Sequence, residues 1–236
     1  MAIRPVFIPV PGSHPYVKAL QVKFQWYSGF AIVQAQKSIA SLHSAAAKFG
    51  FLPILEISSR SVDELGVALS AFNLQLHVGR HEPMSVECAY QGSKVFESGG
   101  PYIDLYTCTS REAKKDERLR SSGRLLAFRF QGEEFPTDPG TAFYDWLYIQ
   151  ALSQNRLLAD QLAQYCAFSD IAFNPDVSQS CQARSAALYL GLSSSEHVDI
   201  GRLIEDKDYY FAVVRGQLTP NSPREKVGKQ LRLPFE

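Results

Sequence analysis

The chain carries no charge imbalance. Lys and Arg total 24, and Asp and Glu total 24, over 236 residues. A net charge of zero excludes a protein that holds nucleic acid mainly by bulk attraction. It leaves open one that grips a single modified nucleotide. Cysteine is scarce, with only Cys88, Cys108, Cys166 and Cys181. None forms a Cys-x-x-Cys pair, and no histidine stands at zinc-finger spacing from them. Reduced, buried thiols are therefore expected. His77 and His81 have the spacing of two helical metal ligands, but their segment does not read as a helix and lacks a metalloprotease glutamate. His43 and Cys88 have no third partner in sequence that would argue for a thiol nucleophile. No metal and no cofactor are expected.

Long apolar runs are also missing. Nothing approaches the roughly 20 residues of a membrane span. The N-terminal Met1–Pro11 stretch is apolar in flavour but holds Pro5, Pro9 and Pro11, so it does not read as a signal peptide. A soluble, cytoplasmic protein with no membrane partner is expected. No Gly-x-Gly-x-x-Gly opens a helix after a strand, and there is no Walker loop, which disfavours a Rossmann cofactor site and a nucleoside triphosphatase. There is no internal repeat and no low-complexity tract.

What is present fits a globular domain. Hydrophobic residues make up 45% and aromatics 12%, enough for one substantial core with or without an extension. Residues 6–10 and 21–27 read as strands. Residues 31–49 read as a helix stopped by Gly50, and residues 51–57 as a strand despite Pro53. Ser61-Val62-Asp63-Glu64 has the form of a capping box, opening a helix to about residue 71. Ser85 is an N-cap, and Gly99-Gly100-Pro101 is a turn. Residues 102–107 and 124–131 read as strands. The charged run 111–120 between them reads as a solvated helix or loop, or, less favoured, as a phosphate-facing rim. Helix is expected from Pro139-Gly140-Thr141 to about residue 166, then a short helix at 183–190 and a strand at 211–214. Residues 219–236 read as a loose tail.

The most informative stretch is Ser85-Val86-Glu87-Cys88-Ala89-Tyr90-Gln91-Gly92-Ser93-Lys94-Val95-Phe96. Read as one helix, it aligns Glu87, Tyr90, Gln91 and Lys94 on one face. Glu87 and Lys94 then differ by about 10 Å in height at 1.5 Å per residue. A third object fits between them, either a ligand or the Gln91 side chain. A carboxylate and an amine facing one space supply the parts for acid/base or imine chemistry. Taken alone, both charges would more often be solvated.

The pattern of Glu, three residues, Gln, two residues, Lys resembles the signature helix of the NADAR family, whose members process ADP-ribose-like N-glycosides. Leu69-Ser70-Ala71-Phe72-Asn73 is similar to the family's Ser-Asn-Phe element with Asn and Phe reordered. Gly99–Tyr102, Phe143–Leu147 and Tyr165–Arg184 extend the likeness. The set is most similar to NADAR antitoxins paired with DarT-type toxins, which ADP-ribosylate DNA. The resemblance implies an α+β fold with a mainly helical core. The few short strands are expected mostly in residues 1–60, an N-terminal extension that departs from the compact family members and packs on a catalytic domain at 61–218, with the tail 219–236 beyond.

The resemblance further implies Lys94 and Glu87 as catalytic residues. Ser70, Phe72, Asn73, Tyr90, Gln91, Tyr102, Trp146, Asp170, Asn174 and Arg184 would contact the ligand. Several of these have plainer readings. Asp170 and Asn174 are turn formers, Arg184 pairs readily with a surface acid, and Trp146 with Phe143 and Leu147 is foremost a core residue. Family members often carry Asn where this chain has Ser180-Cys181-Gln182. The implied function is removal of ADP-ribose from guanine in DNA by hydrolysis of the N-glycosidic bond, opposing a toxin that is itself a possible partner. Two other readings stay open: an N-glycosidase of a riboflavin-pathway phosphoriboside, and a non-catalytic ADP-ribose- or toxin-binding protein.

Overall fold

The computed structural model describes residues 1–79 and 82–217. His81 and the tail expected at 219–236 lie outside the described residues. The chain opens with a hairpin of β1 (Ala2–Pro9) and β2 (Val17–Phe24), paired from Ala2↔Phe24 to Pro9↔Val17. Helix α1 (Ile32–Ala47) follows. It buries Ile39, Leu42 and Ala46, spaced at three and four residues, and so forms one apolar stripe. Gly50 stops it at φ +86°, as expected.

Strand β3 (Ile54–Glu56) leads to a short α2 (Glu64–Ala68). Here the expected capping box is replaced. Ser61 Oγ accepts from Asp63 N–H in the preceding turn, and Asp63 caps the helix by accepting from Leu65 N–H. The helix then yields to a turn at Ser70, whose carbonyl takes the N–H groups of Asn73 and Leu74. A two-residue ladder of β4 (Gln75–Leu76) and β5 (Met84–Ser85) delivers the chain to α3 (Val86–Gly92), and β6 (Lys94–Phe96) follows at once.

Residues 102–107, expected as a strand, form a 3-10 helix at Ile103–Thr107. Leu105 N–H bonds to the Tyr102 carbonyl, and Thr107 Oγ1 to that of Asp104. Tyr102-Ile103-Asp104-Leu105-Tyr106-Thr107 is too short for its pattern to decide between strand and helix. The charged run becomes α4 (Ser110–Lys115) and α5 (Arg118–Ser121). Strands β7 (Leu125–Phe130) and β8 (Glu133–Phe135) join β6 in a sheet ordered β6-β7-β8.

The expected long helix is broken. α6 (Ala142–Gln154) ends at Asn155, whose side-chain amide bonds to the carbonyls of Gln75 and Ala151. α7 (Arg156–Ala159) and a 3-10 turn (Asp160–Gln164) complete the stretch. β9 (Ala167–Ser169) then inserts between β1 and β3, antiparallel to the first and parallel to the second. The first sixty residues thus share one sheet, β2-β1-β9-β3, with a strand from far along the chain. Strands β4 to β9 all lie beyond residue 60, so strands are spread along the chain rather than gathered at its start. The chain ends in α8 (Gln182–Ser193), α9 (Ile200–Glu205) and α10 (Lys207–Val214). The last of these replaces the strand expected at 211–214, and Asp206 caps it by accepting from Tyr209 N–H.

Helix α6 is the centre of the core, with Ala142–Ile149 buried continuously. Phe128, Phe143, Phe135 and Trp146 form an unbroken aromatic file, with ring centroids 4.6, 4.8 and 4.7 Å apart in that order. Such pairs add to simple area burial. No helix among the described residues is long and apolar enough to cross a membrane.

Candidate functional site

Helix α3 is fixed at both ends. Ser85 Oγ accepts from Cys88 N–H at 3.1 Å, as its position predicts. The backbone N–H groups of Val86 and Glu87 bond to the carbonyls of Leu74 and Ala71, which docks the Ser70–Asn73 turn onto the helix start. At the other end, Gly92 is required by close packing. A Cβ there would sit 2.4 Å from the Tyr106 ring.

Lys94 is not on the helix. It opens β6, opposite Phe128 of β7. Gly100, at φ +94°, lies against its backbone, where a Cβ would come within 2.1 Å of the Lys94 carbonyl oxygen. The helix stops at Gly92 because the sheet claims the next residues. The side chains still meet. Gln91 Nε2 donates to Glu87 Oε1 at 3.0 Å, and Lys94 Nζ donates to Gln91 Oε1 at 2.7 Å. The amide of Gln91 therefore fills the gap between carboxylate and amine.

Lys94 Nζ also lies 4.6 Å from the centroid of the Tyr90 ring. That ring continues the core file, 5.4 Å from Phe128, and Tyr144 meets it edge-on at 5.0 Å. The amine thus rests on an apolar floor. Burial pushes its pKa down to about 8, Lys114 adds to the lowering, and Glu87 opposes it. Burial raises Tyr90 and Tyr144, and the charge of Glu87 raises them further.

Lys114, from α4, is a member of the cluster that the sequence reading left in a solvated run. Its Nζ is 3.7 Å from Glu87 Oε1 and 5.2 Å from the centroid of the Phe72 ring. The signal was present in Thr109-Ser110-Arg111-Glu112, a capping box that fixes where α4 begins. Through Lys114, Phe72 joins the site. Ser70 is next to Ala71, the backbone partner of Glu87. Its Oγ is buried and without a hydrogen-bond partner among the described residues.

Asp170 approaches from the end of β9. Burial, and then the charge of Glu56, push its carboxyl up to about 7, while Lys114 acts in the opposite direction. Glu56 is raised by its own burial, although Ile171 N–H and Ser169 Oγ both donate to it. His43 Nε2 is 2.8 Å from Ser169 Oγ, and burial lowers its pKa to about 4. Gln182 ties these parts together. Its Oε1 accepts from Ala71 N–H, and its Nε2 donates to the Ile57 carbonyl, both at 2.7 Å.

Other expected residues have partners elsewhere. Arg184 forms an ion pair with the buried Asp145, which also accepts from Ser185 Oγ. Its partner is a core acid of α6 rather than a surface one. Asn73 is exposed and donates to the Val67 carbonyl, and Asn174 accepts from Asp176 N–H within its own turn. The 174–180 segment reaches the cluster through Ser180 Oγ, 3.4 Å from Tyr90 OH. Tyr102 bonds to Ser122 and lies under the Arg118 guanidinium at 4.5 Å. Trp146 is buried in the core against Phe135, at the end of the aromatic file.

A cavity of about 940 Å³ adjoins this cluster at Phe72, which lines it. Ser85, Cys88 and Gly92, at offsets of three and seven, share the face toward the cavity. Ser85, Tyr106 and Cys108 line it; Cys88 Sγ donates to the Cys108 carbonyl, and Gly92 packs on Tyr106. Glu87 and Gln91 occupy another face. Among the described residues, no three His, Cys, Asp or Glu side chains converge to hold a metal ion.

No curated protein matches the chain. A family described as the DarT1-associated NADAR antitoxin matches residues 2–223, nearly the whole length. The chain belongs to the NADAR antitoxin family associated with DarT1.

Proposed function

We propose that this protein is an N-glycosidase that removes ADP-ribose from guanine bases in DNA and so reverses the modification made by a cognate toxin. The observation that carries this reading is the linked Glu87–Gln91–Lys94 array, with an amine near pKa 8. On this reading residues 61–218 form the catalytic unit, with residues 1–60 packed against it.

The proposed chemistry needs no metal. Glu87 relays a proton from solvent to the ribose ring oxygen. The ring bond from that oxygen to the anomeric carbon opens, leaving an iminium between the carbon and the base nitrogen. The free amine of Lys94 adds to that carbon. Its proton passes, by way of Glu87, to the base nitrogen, which departs with the electron pair of its bond. The resulting lysine imine is hydrolysed by one water. This releases open-chain ribose, and the lysine ammonium so formed returns the extra proton to solvent, which restores the amine. The sum is one water consumed and one C–N bond cleaved. Gln91 holds the two acting groups in register. Ser70, whose hydroxyl has no partner among the described residues, and Phe72 are assigned to the sugar or base side. The modified base must leave the duplex stack or be presented single-stranded.

Borohydride added during turnover tests this. The expected result is an adduct on Lys94 carrying the mass of the ribose-bearing fragment. Turnover without any adduct would remove the imine step. Turnover of a phosphoribosyl pyrimidine but not of modified DNA would replace the substrate.

A further inference from the structure

Lys114 looks at first like a cation in the last turn of a surface helix, where its charge complements the helix dipole. Its side chain is 59% exposed, whereas that of Glu87, which it approaches, is only 6% exposed. The placement is nevertheless built. Ser110, the first residue of α4, donates to the Phe72 carbonyl at 2.8 Å, and its Oγ lies at hydrogen-bond distance, 2.7 Å, from Ser85 Oγ. Ser85 is the cap of α3. Helix α4 is therefore bolted to the start of the helix that carries Glu87. The capping box of Thr109 and Glu112 then sets the helix direction. Phe72 lies beneath the Lys114 ammonium. Glu87 Oε1 has Gln91 on one side and Lys114 on the other.

We propose that Lys114 is a positioning residue of the Lys94–Glu87 pair: it holds Glu87 from outside the cluster, and its charge disfavours a second ammonium at Lys94. Glu87 and Gln91 place the two lysines on one short path, Lys114 to Glu87 to Gln91 to Lys94. A carboxylate shared by two cations favours each of them less than a carboxylate devoted to one. Direct repulsion between the ammonium groups acts in the same direction. A cationic neighbour is one of the ways in which proteins free an amine for attack.

The other groups that face the pair are few. Tyr90 from α3 and Tyr144 from α6 are held neutral by burial. Phe128 from β7 is apolar. Asp145 of α6, behind Tyr90, is neutralised by Arg184. Asp170, after β9, interacts with Lys114 and is itself pushed toward the protonated form. Lys114 is thus the cation that acts on Lys94 from across the cluster.

This inference uses the Proposed function only for its consequence, and its test reads the amine rather than turnover. The intact protein is labelled with a trace of acetic anhydride between pH 6 and 10. Acetylation of the Lys94 peptide is then followed by mass spectrometry. In the unaltered protein the labelling midpoint should fall near 8. Lys114→Met should move it upward and reduce labelling at pH 7.5 roughly two- to threefold, the size expected of a partly exposed pair. Lys114→Arg should restore the original midpoint. High salt should shrink the difference between Lys114→Met and the unaltered protein. Lys114→Gln is the second neutral variant should Lys114→Met fold poorly. An unchanged or lowered midpoint in the neutral variants would overturn the proposal. So would an equal rise in Lys114→Arg, which would mark a steric effect. A protein with no activity on modified DNA that still shows the shift would sink the Proposed function and leave this inference standing.

Discussion

Gln91 receives the Lys94 ammonium on its side-chain oxygen at 2.7 Å and turns its nitrogen to Glu87 at 3.0 Å. One amide thus sets the separation of the two groups assigned to the chemistry. It does so across the junction of a helix and a strand. A glutamine suits this task because it is at once donor and acceptor, and it adds no charge of its own.

Gln91→Leu should therefore cut turnover by roughly tenfold or more, because misplaced reacting groups lose rate steeply. Stability should change by about 1–3 kcal/mol, as buried partners are left unmatched. Steady-state kinetics and thermal melts check this. Turnover within twofold of the unaltered protein would show that the amide is not the spacer.

The pH dependence follows from Lys94. Its amine is pushed down to about 8, so the free form is a minority at pH 7 and dominant at pH 9. Turnover should rise roughly tenfold per unit below pH 8 and flatten above it. A rate that is flat from pH 6 to 9 would count against Lys94 as the nucleophile.

Asp170 should give the protein a stability term of the opposite kind. Its carboxyl is raised from 3.8 to about 7 in the folded state. Between those values the folded protein holds a proton that the unfolded chain has released. The contribution is therefore full below about pH 4 and lost as pH rises through 7. Asp170→Asn, which mimics the protonated group, should flatten the fall of melting temperature between pH 4.5 and 7.5. A slope identical to that of the unaltered protein would refute this.

Gly92→Ala should destabilise by about 1–3 kcal/mol, the usual range for overpacking. The added carbon would meet the Tyr106 ring at 2.4 Å and the Tyr102 carbonyl at 3.0 Å. Denaturant melts measure it. A neutral result would mean that α3 has room to shift on the 3-10 helix beneath it.

Legibility in the sequence followed a simple physical line. Glu87 and Gln91 were readable because helix periodicity is local, and Ser85 announced the helix start. Lys94 was assigned to the right cluster for the wrong reason. The helix ends at Gly92, and only the pairing of β6 with β7, thirty residues away, returns the lysine to the site. Lys114 was hidden because its role depends on the docking of α4 by Ser110, a contact between distant segments. The strands expected at 102–107 and 211–214 failed because short runs fit either state. The caps that would have decided them, such as Asp206, are single residues. Trp146 read as core and is core. Arg184 was open in the sequence, and its buried partner Asp145 lies 39 residues earlier.

The central claim is that Lys94 is an amine nucleophile toward a guanine-linked ribose, and a trapping experiment tests it most directly. Borohydride is added while the protein acts on DNA bearing ADP-ribose on guanine, with thymine-linked ADP-ribose as the comparison. A covalent adduct is expected on the Lys94 peptide with the guanine-linked substrate and little with the thymine-linked one. Lys94→Arg, which keeps the charge but offers no free amine near neutral pH, should fold and should lose both the adduct and turnover. Near-normal turnover by Lys94→Arg would show that Lys94 is not the nucleophile.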